Sequence, residues 1–174
     1  MFVIDSFLQH KPAEPEAEAP AVATPRPHDD CVDAGYDAGL IGQLKADHEQ
    51  LKAIFCDIGA ANKAGDLAQV QRCLGAFRAA LAEHLRKEIG LFRNLAQSLA
   101  GDEAKLELMH GFRREMDKMG PVAVGMLAKY EGIAARPRLA VSLAGDLALV
   151  GGALAGRIQR EEGLLYPLYT PLQA

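Results

Sequence analysis

After Gly39 the large apolar residues recur at spacings of three and four, the period that lines one side of an α-helix and that a strand cannot use. Four segments carry the pattern. The first, Leu40 to Ala61, places Leu40, Leu44, Leu51, Phe55 and Ile58 on one stripe and ends at Asn62-Lys63-Ala64-Gly65-Asp66, a Gly stop followed by an Asp start. The second, Leu67 to Leu99, uses Val70, Leu74, Phe77, Leu81, Leu85, Phe92 and Leu95, and Gly101-Asp102 closes it. The third, Glu103 to Glu131, uses Leu108, Met109, Phe112, Met116, Met119 and Met126; Pro121 inside it has no amide donor and is expected to kink or break it near Gly120. The fourth, Leu139 to Leu168, uses Leu143, Leu147, Val150, Leu154, Ile158 and Leu165. No stretch alternates with period two, and short loops between long helices make neighbours antiparallel. The expected fold is all-α, an antiparallel up-down-up-down four-helix bundle over residues 39–174, preceded by an N-terminal extension over residues 1–38.

That extension has a different composition. From Lys11 to Asp30 it is rich in Pro, Ala and Glu and holds too little apolar surface to offset the entropy of ordering it, so it reads as a disordered linker. Phe2, Ile4, Phe7 and Leu8 ahead of it form a short amphipathic piece through which residues 1–10 could meet a protein partner. With 19 basic against 23 acidic side chains there is no positive excess to meet a phosphate backbone, and no nucleic-acid partner is expected. No uninterrupted apolar run reaches the roughly 20 residues of a membrane span, nor does the N-terminus read as a secretion signal, so no membrane partner and a cytoplasmic location are expected. Cys31, Cys56 and Cys73 are odd in number and unpaired in spacing, which suits free thiols.

A helix turns about 100° per residue, so each polar side chain can be placed against its own apolar stripe. His48 lies between Leu44 and Leu51, roughly 50° from the stripe centre. Glu88 falls near the middle of the second stripe, with His84 one turn earlier and roughly 40° to one side. When His84 is laid on Arg157, the residues Leu74, Phe77, Leu81, Leu85, Glu88, Phe92 and Leu95 fall on Leu147, Val150, Leu154, Ile158, Glu161, Leu165 and Leu168. This degenerate repeat offers His-x-x-x-Glu in one half and Arg-x-x-x-Glu in the other. In the third helix Glu115 sits roughly 65° off centre, near enough to reach inward, whereas His110 sits roughly 150° away and belongs to solvent. Tyr166 and Tyr169 are expected to pack at the bundle end. An inward carboxylate is costly unless paired or bound to a metal, and one His and one Glu four residues apart aim donor groups at a common point.

With these residues in place, Leu-Lys-Ala-Asp-His-Glu-Gln-Leu around His48, Glu-His-Leu-Arg-Lys-Glu-Ile-Gly-Leu-Phe around His84 and Glu88, and Arg-Ile-Gln-Arg-Glu-Glu-Gly-Leu-Leu-Tyr-Pro-Leu-Tyr around Glu161 resemble hemerythrin and the hemerythrin-like HHE cation-binding domains. The resemblance spans Leu40 to Tyr169. It implies non-haem iron, as one or two ions, held by His48, His84, Glu88 and Glu161, with Glu115 as a weaker candidate and dioxygen or another small molecule as the ligand. Two departures stand out: the third helix has no inward His, and Arg157 stands where the pattern has the fourth-helix His.

Three carboxylates, Glu88, Glu115 and Glu161, against Arg157 leave two negative charges, which one divalent ion or two protonated His would balance. Imidazole with carboxylate suits iron and also manganese or zinc. Arg157, permanently charged and forked, could occupy the place of a second cation. Two functions follow: sensing or buffering of oxygen, reactive oxygen or iron, or a metal-free bundle acting as a regulatory protein-binding module. A di-iron oxidoreductase is the third reading, for which the sequence shows no substrate pocket, so no catalytic residues are assigned.

Overall fold

The computed structural model describes residues 36–170, which form four helices and no strand among the described residues. Residues 1–10, Lys11 to Asp30 and Cys31 lie outside them. Helix α1 spans Leu40–Ala64, α2 Leu67–Ser98, α3 Glu103–Lys129 and α4 Ala140–Arg160. The turns between α1 and α2 and between α2 and α3 follow local rules. Gly65 adopts φ 75°, the left-handed C-cap that suits a residue without Cβ, and the Asp66 carboxylate then accepts from Gln69 N at 2.8 Å. Asp102 caps α3 in the same way, accepting from Lys105 N at 3.1 Å. Between α3 and α4, Gly132 and two short 3-10 turns, Ile133–Ala135 and Pro137–Leu139, reverse the chain. The all-α bundle expected from the apolar period is therefore the fold.

Three expectations need correction. Helix α3 continues through Pro121 without a break. Pro121 and Asp117, whose carbonyl loses its partner there, are both exposed, so water can take up the freed acceptor. Leu108, assigned to the core stripe, is 38% exposed. The third correction concerns α4 and the turns after it: Pro137–Leu168 is long and apolar enough, by length and composition alone, to cross a membrane. Its scattered Gly and Ala residues hide this from a search for an unbroken run of large apolar residues. In the bundle this helix buries Leu143, Leu147, Arg157 and Ile158 but leaves Val141 88% and Leu149 76% exposed.

The core has two apolar halves. One gathers Leu51, Ile58, Val70, Leu74, Phe77, Tyr130, Ile133 and Leu143; the other gathers Leu44, Leu91, Phe92, Leu95, Met109, Phe112, Leu165 and Tyr166. Each fully buried Leu or Phe contributes about 2 kcal/mol through the area it removes from water. Between the halves lies a layer of buried polar side chains, His48, His84, Glu88, Arg157 and Glu161. Where α1 meets α4 the approach is close: a Cβ on Gly151 would stand 2.7 Å from the Phe55 ring.

Candidate metal centre

The polar layer is assembled by three helices and by a change of pitch at the end of the fourth. From α1, Leu44 and Leu51 sink into opposite halves of the core and carry His48 between them, fully buried. From α2, Leu81 and Leu91 do the same for His84 and Glu88. After Arg160 the α4 ladder widens into a π-helical turn, Glu161–Leu165, closed by Tyr166 N–H donating to Glu161 O. Such turns rotate successive side chains less than an α-helix does and are common at functional sites. Here the turn brings two adjacent carboxylates to one imidazole: Glu161 Oε2 lies 3.2 Å from His48 Nε2, and Glu162 Oε1 lies 2.8 Å from His48 Nδ1. The Tyr166 hydroxyl, 3.2 Å from His48 Nε2, completes the ring's surroundings.

Arg157 bridges the layer. Its NH2 donates to Glu88 Oε1, its Nε faces Glu161 Oε1 as an ion pair, and its NH1 donates to the Phe112 carbonyl at 3.0 Å. Burial alone would weaken the guanidinium's hold on its proton, but the charges of Glu88 and Glu161 outweigh it and raise the pKa. For His48 burial acts downward, and the hydrogen bonds and charges of Glu161 and Glu162 overcome it, so the ring titrates above its usual range. His84 goes the other way: burial dominates the attraction of Glu88 and Asp47 and lowers it to about 4, leaving a neutral imidazole. Its Nδ1 is 3.7 Å from Asp47 Oδ2, too far for a hydrogen bond, and Asp47 is itself held by Lys87 at 2.9 Å. Burial and then the nearby Glu161 charge raise the Glu88 carboxyl, against the pull of Arg157 and His84. Tyr166 is likewise raised, first by burial and then by Glu161 and Glu88, which keeps its phenol protonated.

Of the residues singled out in the sequence, His48, His84, Glu88, Glu161 and Arg157 are brought together. Glu115 is not. It stands at the rim, 43% exposed in its side chain, pairing with Arg160 at 2.6 Å and approaching Arg157 only to 4.0 Å. His110 is exposed, Cys56 is exposed and Cys73 is buried, with both thiols free. Tyr166, expected to pack at the bundle end, does so and also touches His48. Glu162 escapes a stripe analysis, because a 100° step turns it away from any point that Glu161 faces. Pro167, which cannot donate to the helix ladder, is the one local signal that the pitch changes there.

The donor set fits one ion. His48, His84 and Glu161 each offer a ligand atom, all within 4.8 Å of one another and all buried. Glu162 on Nδ1 orients the His48 ring and leaves Nε2 as its ligand atom, the usual role of a carboxylate behind a metal-bound imidazole. Beside this donor set the Arg157 guanidinium stands between Glu88 and Glu161. Next to the layer, a cavity of about 230 Å³ opens between α2, α3 and α4.

Comparisons with known proteins agree with this donor chemistry. The hemerythrin HHE cation-binding domain model matches residues 37–169, about three quarters of the chain. Searches of curated proteins and of solved structures return no match. With a four-helix bundle that brings a buried His and Glu cluster together from α1, α2 and the end of α4, the chain belongs to the hemerythrin HHE cation-binding domain family and is a metal-binding helical protein.

Proposed function

We propose that the protein holds one divalent metal ion, with iron as the first choice, at His48, His84 and Glu161, and uses it to sense or buffer oxygen, reactive oxygen or iron. The observation that carries this is the convergence of three buried ligand atoms from three helices beside a guanidinium that fills the neighbouring place. When bound, iron supplies reversible exchange of a small ligand and a one-electron change. The protein's own groups set the conditions. Glu162 holds the His48 ring by its Nδ1–H, Arg157 stands between the two inner carboxylates and offsets one of their two charges, and the apolar halves of the core lie on either side. One cation place in the layer is permanently taken by Arg157, which favours a one-ion responder over a two-iron carrier.

A specific feature supports a second reading. With His48 protonated, the four innermost charges, Glu88, Glu161, Arg157 and His48, already sum to zero, so a metal-free regulatory bundle is electrostatically self-consistent. Metal analysis and the visible spectrum of protein purified without chelator separate the two. About one tightly held ion per chain, lost in His84→Ala protein shown to be folded by circular dichroism, is expected. Wild-type protein that retains no metal after equilibrium dialysis against ferrous iron, manganese or zinc would leave the metal-free reading.

A further inference from the structure

The cavity beside the polar layer is far larger than a diatomic ligand needs. Its volume is about 230 Å³, where a cavity of about 150 Å³ already accepts benzene and a water molecule occupies about 30 Å³. Its walls are hydrocarbon. Leu81 and Leu85 come from α2, Met119 from α3, and Val150 and Leu154 from α4. Val122 and Leu149 of the lining are 61% and 76% exposed, which gives an apolar body a hydrocarbon surface to enter along, with Lys118 also at the lining. At the inner end the chemistry changes abruptly, because His84, Glu88, Arg157 and Glu161 also line the space.

That inner end has a free acceptor. Glu88 is fully buried; its Oε1 accepts from Arg157, while its Oε2 has no hydrogen-bond partner and lies 3.9 Å from His84 Nε2. A buried carboxylate oxygen left without a donor is costly, and a ligand that supplies one recovers the difference. The charge of that head is constrained. An anion would meet the charge of the Glu88 carboxylate itself, beside an Arg157 already paired with Glu88 and Glu161. A cationic head would stand against the Arg157 guanidinium that already pairs with Glu88. A neutral hydroxyl satisfies the acceptor and meets neither repulsion.

We propose that this cavity binds a small neutral amphiphile, an alkyl-substituted alcohol or phenol, with its hydroxyl donating to Glu88 Oε2 and its hydrocarbon body lying between α2, α3 and α4. Glu88 is not one of the three residues whose ligand atoms converge, so the hydroxyl contact requires no bound metal and can be read on chelator-treated and metal-loaded protein alike. Ala153, exposed on α4 and part of the lining, gives a way to close it from outside the polar layer.

The test is calorimetric titration of the full chain, chelator-treated and as purified, with 4-propylphenol, propylbenzene and 4-propylbenzoate. The phenol is expected to bind saturably at one per chain in both forms. Propylbenzene should bind at least about tenfold more weakly, the factor a hydrogen bond to a charged acceptor supplies. Ala153→Phe, and independently Ala123→Leu, should weaken phenol binding by about tenfold or more while circular dichroism and the thermal transition stay as in the wild type. No saturable binding of the phenol, or binding unaltered by both substitutions, overturns the proposal. Equal affinity for propylbenzene overturns the hydroxyl contact, and equal or tighter binding of the benzoate moves the head group to Lys118 at the lining and overturns it too. A dimer in sedimentation at micromolar concentration whose formation blocks the phenol would assign the cavity mouth to a second copy of the chain instead.

Discussion

Arg157 meets two carboxylates and a backbone carbonyl inside the bundle, so the consequences of replacing it depend on what is left behind. Arg157→Met should destabilise metal-free protein by about 3–5 kcal/mol in urea unfolding, because Glu88 and Glu161 lose their counter-charge while buried. Arg157→Lys should recover only part of this, since one ammonium cannot reproduce three separate contacts. Arg157→His, in protein shown to be folded, should raise metal capacity from about one ion per chain towards two; two tightly held ions in the wild type would refute the view that the guanidinium occupies a cation place. The two buried imidazoles should pull stability in opposite directions with pH. The folded pKa of His48 is raised, so its contribution is complete below the unfolded value of about 6.5 and is lost as pH rises through the folded one. The folded pKa of His84 is lowered to about 4, so stability falls as pH drops from about 6.5 towards that value. Urea midpoints of His48→Gln and His84→Gln relative to wild type, measured on chelator-treated protein from pH 4 to 8.5, should therefore diverge with opposite slopes; slopes of the same sign would contradict the arrangement of Glu161 and Glu162 about His48.

At the scale of the helix, α4 behaves differently from the other three. Its small residues let it approach α1 at Gly151 while its upper face near Val150 and Leu154 stands off from α3 and leaves the cavity. Two neighbouring glycines separate propensity from packing. Gly152 has open space where a Cβ would go, so Gly152→Ala should stabilise by about 0.5–1 kcal/mol through helix propensity. Gly151→Ala gains the same propensity but sets a methyl 2.7 Å from the Phe55 ring, which itself packs on Phe77 at 5.5 Å between centroids. It should give no net stabilisation, and thermal unfolding of the two variants side by side reads the cost of the contact; equal gains would mean that Phe55 moves freely. The π-helical turn at Glu161–Leu165 is the other element-scale feature, and it carries Glu161 and Glu162 to the two nitrogens of the His48 ring.

For the molecule as a whole, a metal that joins α1, α2 and the end of α4 should act as a clamp between the two apolar halves. At a free ion concentration about one hundredfold above Kd the linkage is worth about 2.7 kcal/mol, a rise in Tm of roughly 10 °C for a bundle of this size, and His84→Ala should abolish the rise. The all-helical architecture, its boundaries to within a few residues except for the end of α4, which stops at Arg160 rather than Leu168, and the inward placement of His48, His84, Glu88, Arg157 and Glu161 were legible from spacing, because helical period and the cost of burying charge are local or additive. Glu162 and the rim position of Glu115 were not, since a fixed 100° step assumes uniform pitch and says nothing of how far α3 stands from α4. The cavity was invisible for the same reason: Leu81, Met119 and Leu154 each belong to an ordinary apolar stripe, and only the spacing of whole helices, set by the Gly151–Phe55 contact on one side and the ion pairs of Arg157 on the other, leaves room between them.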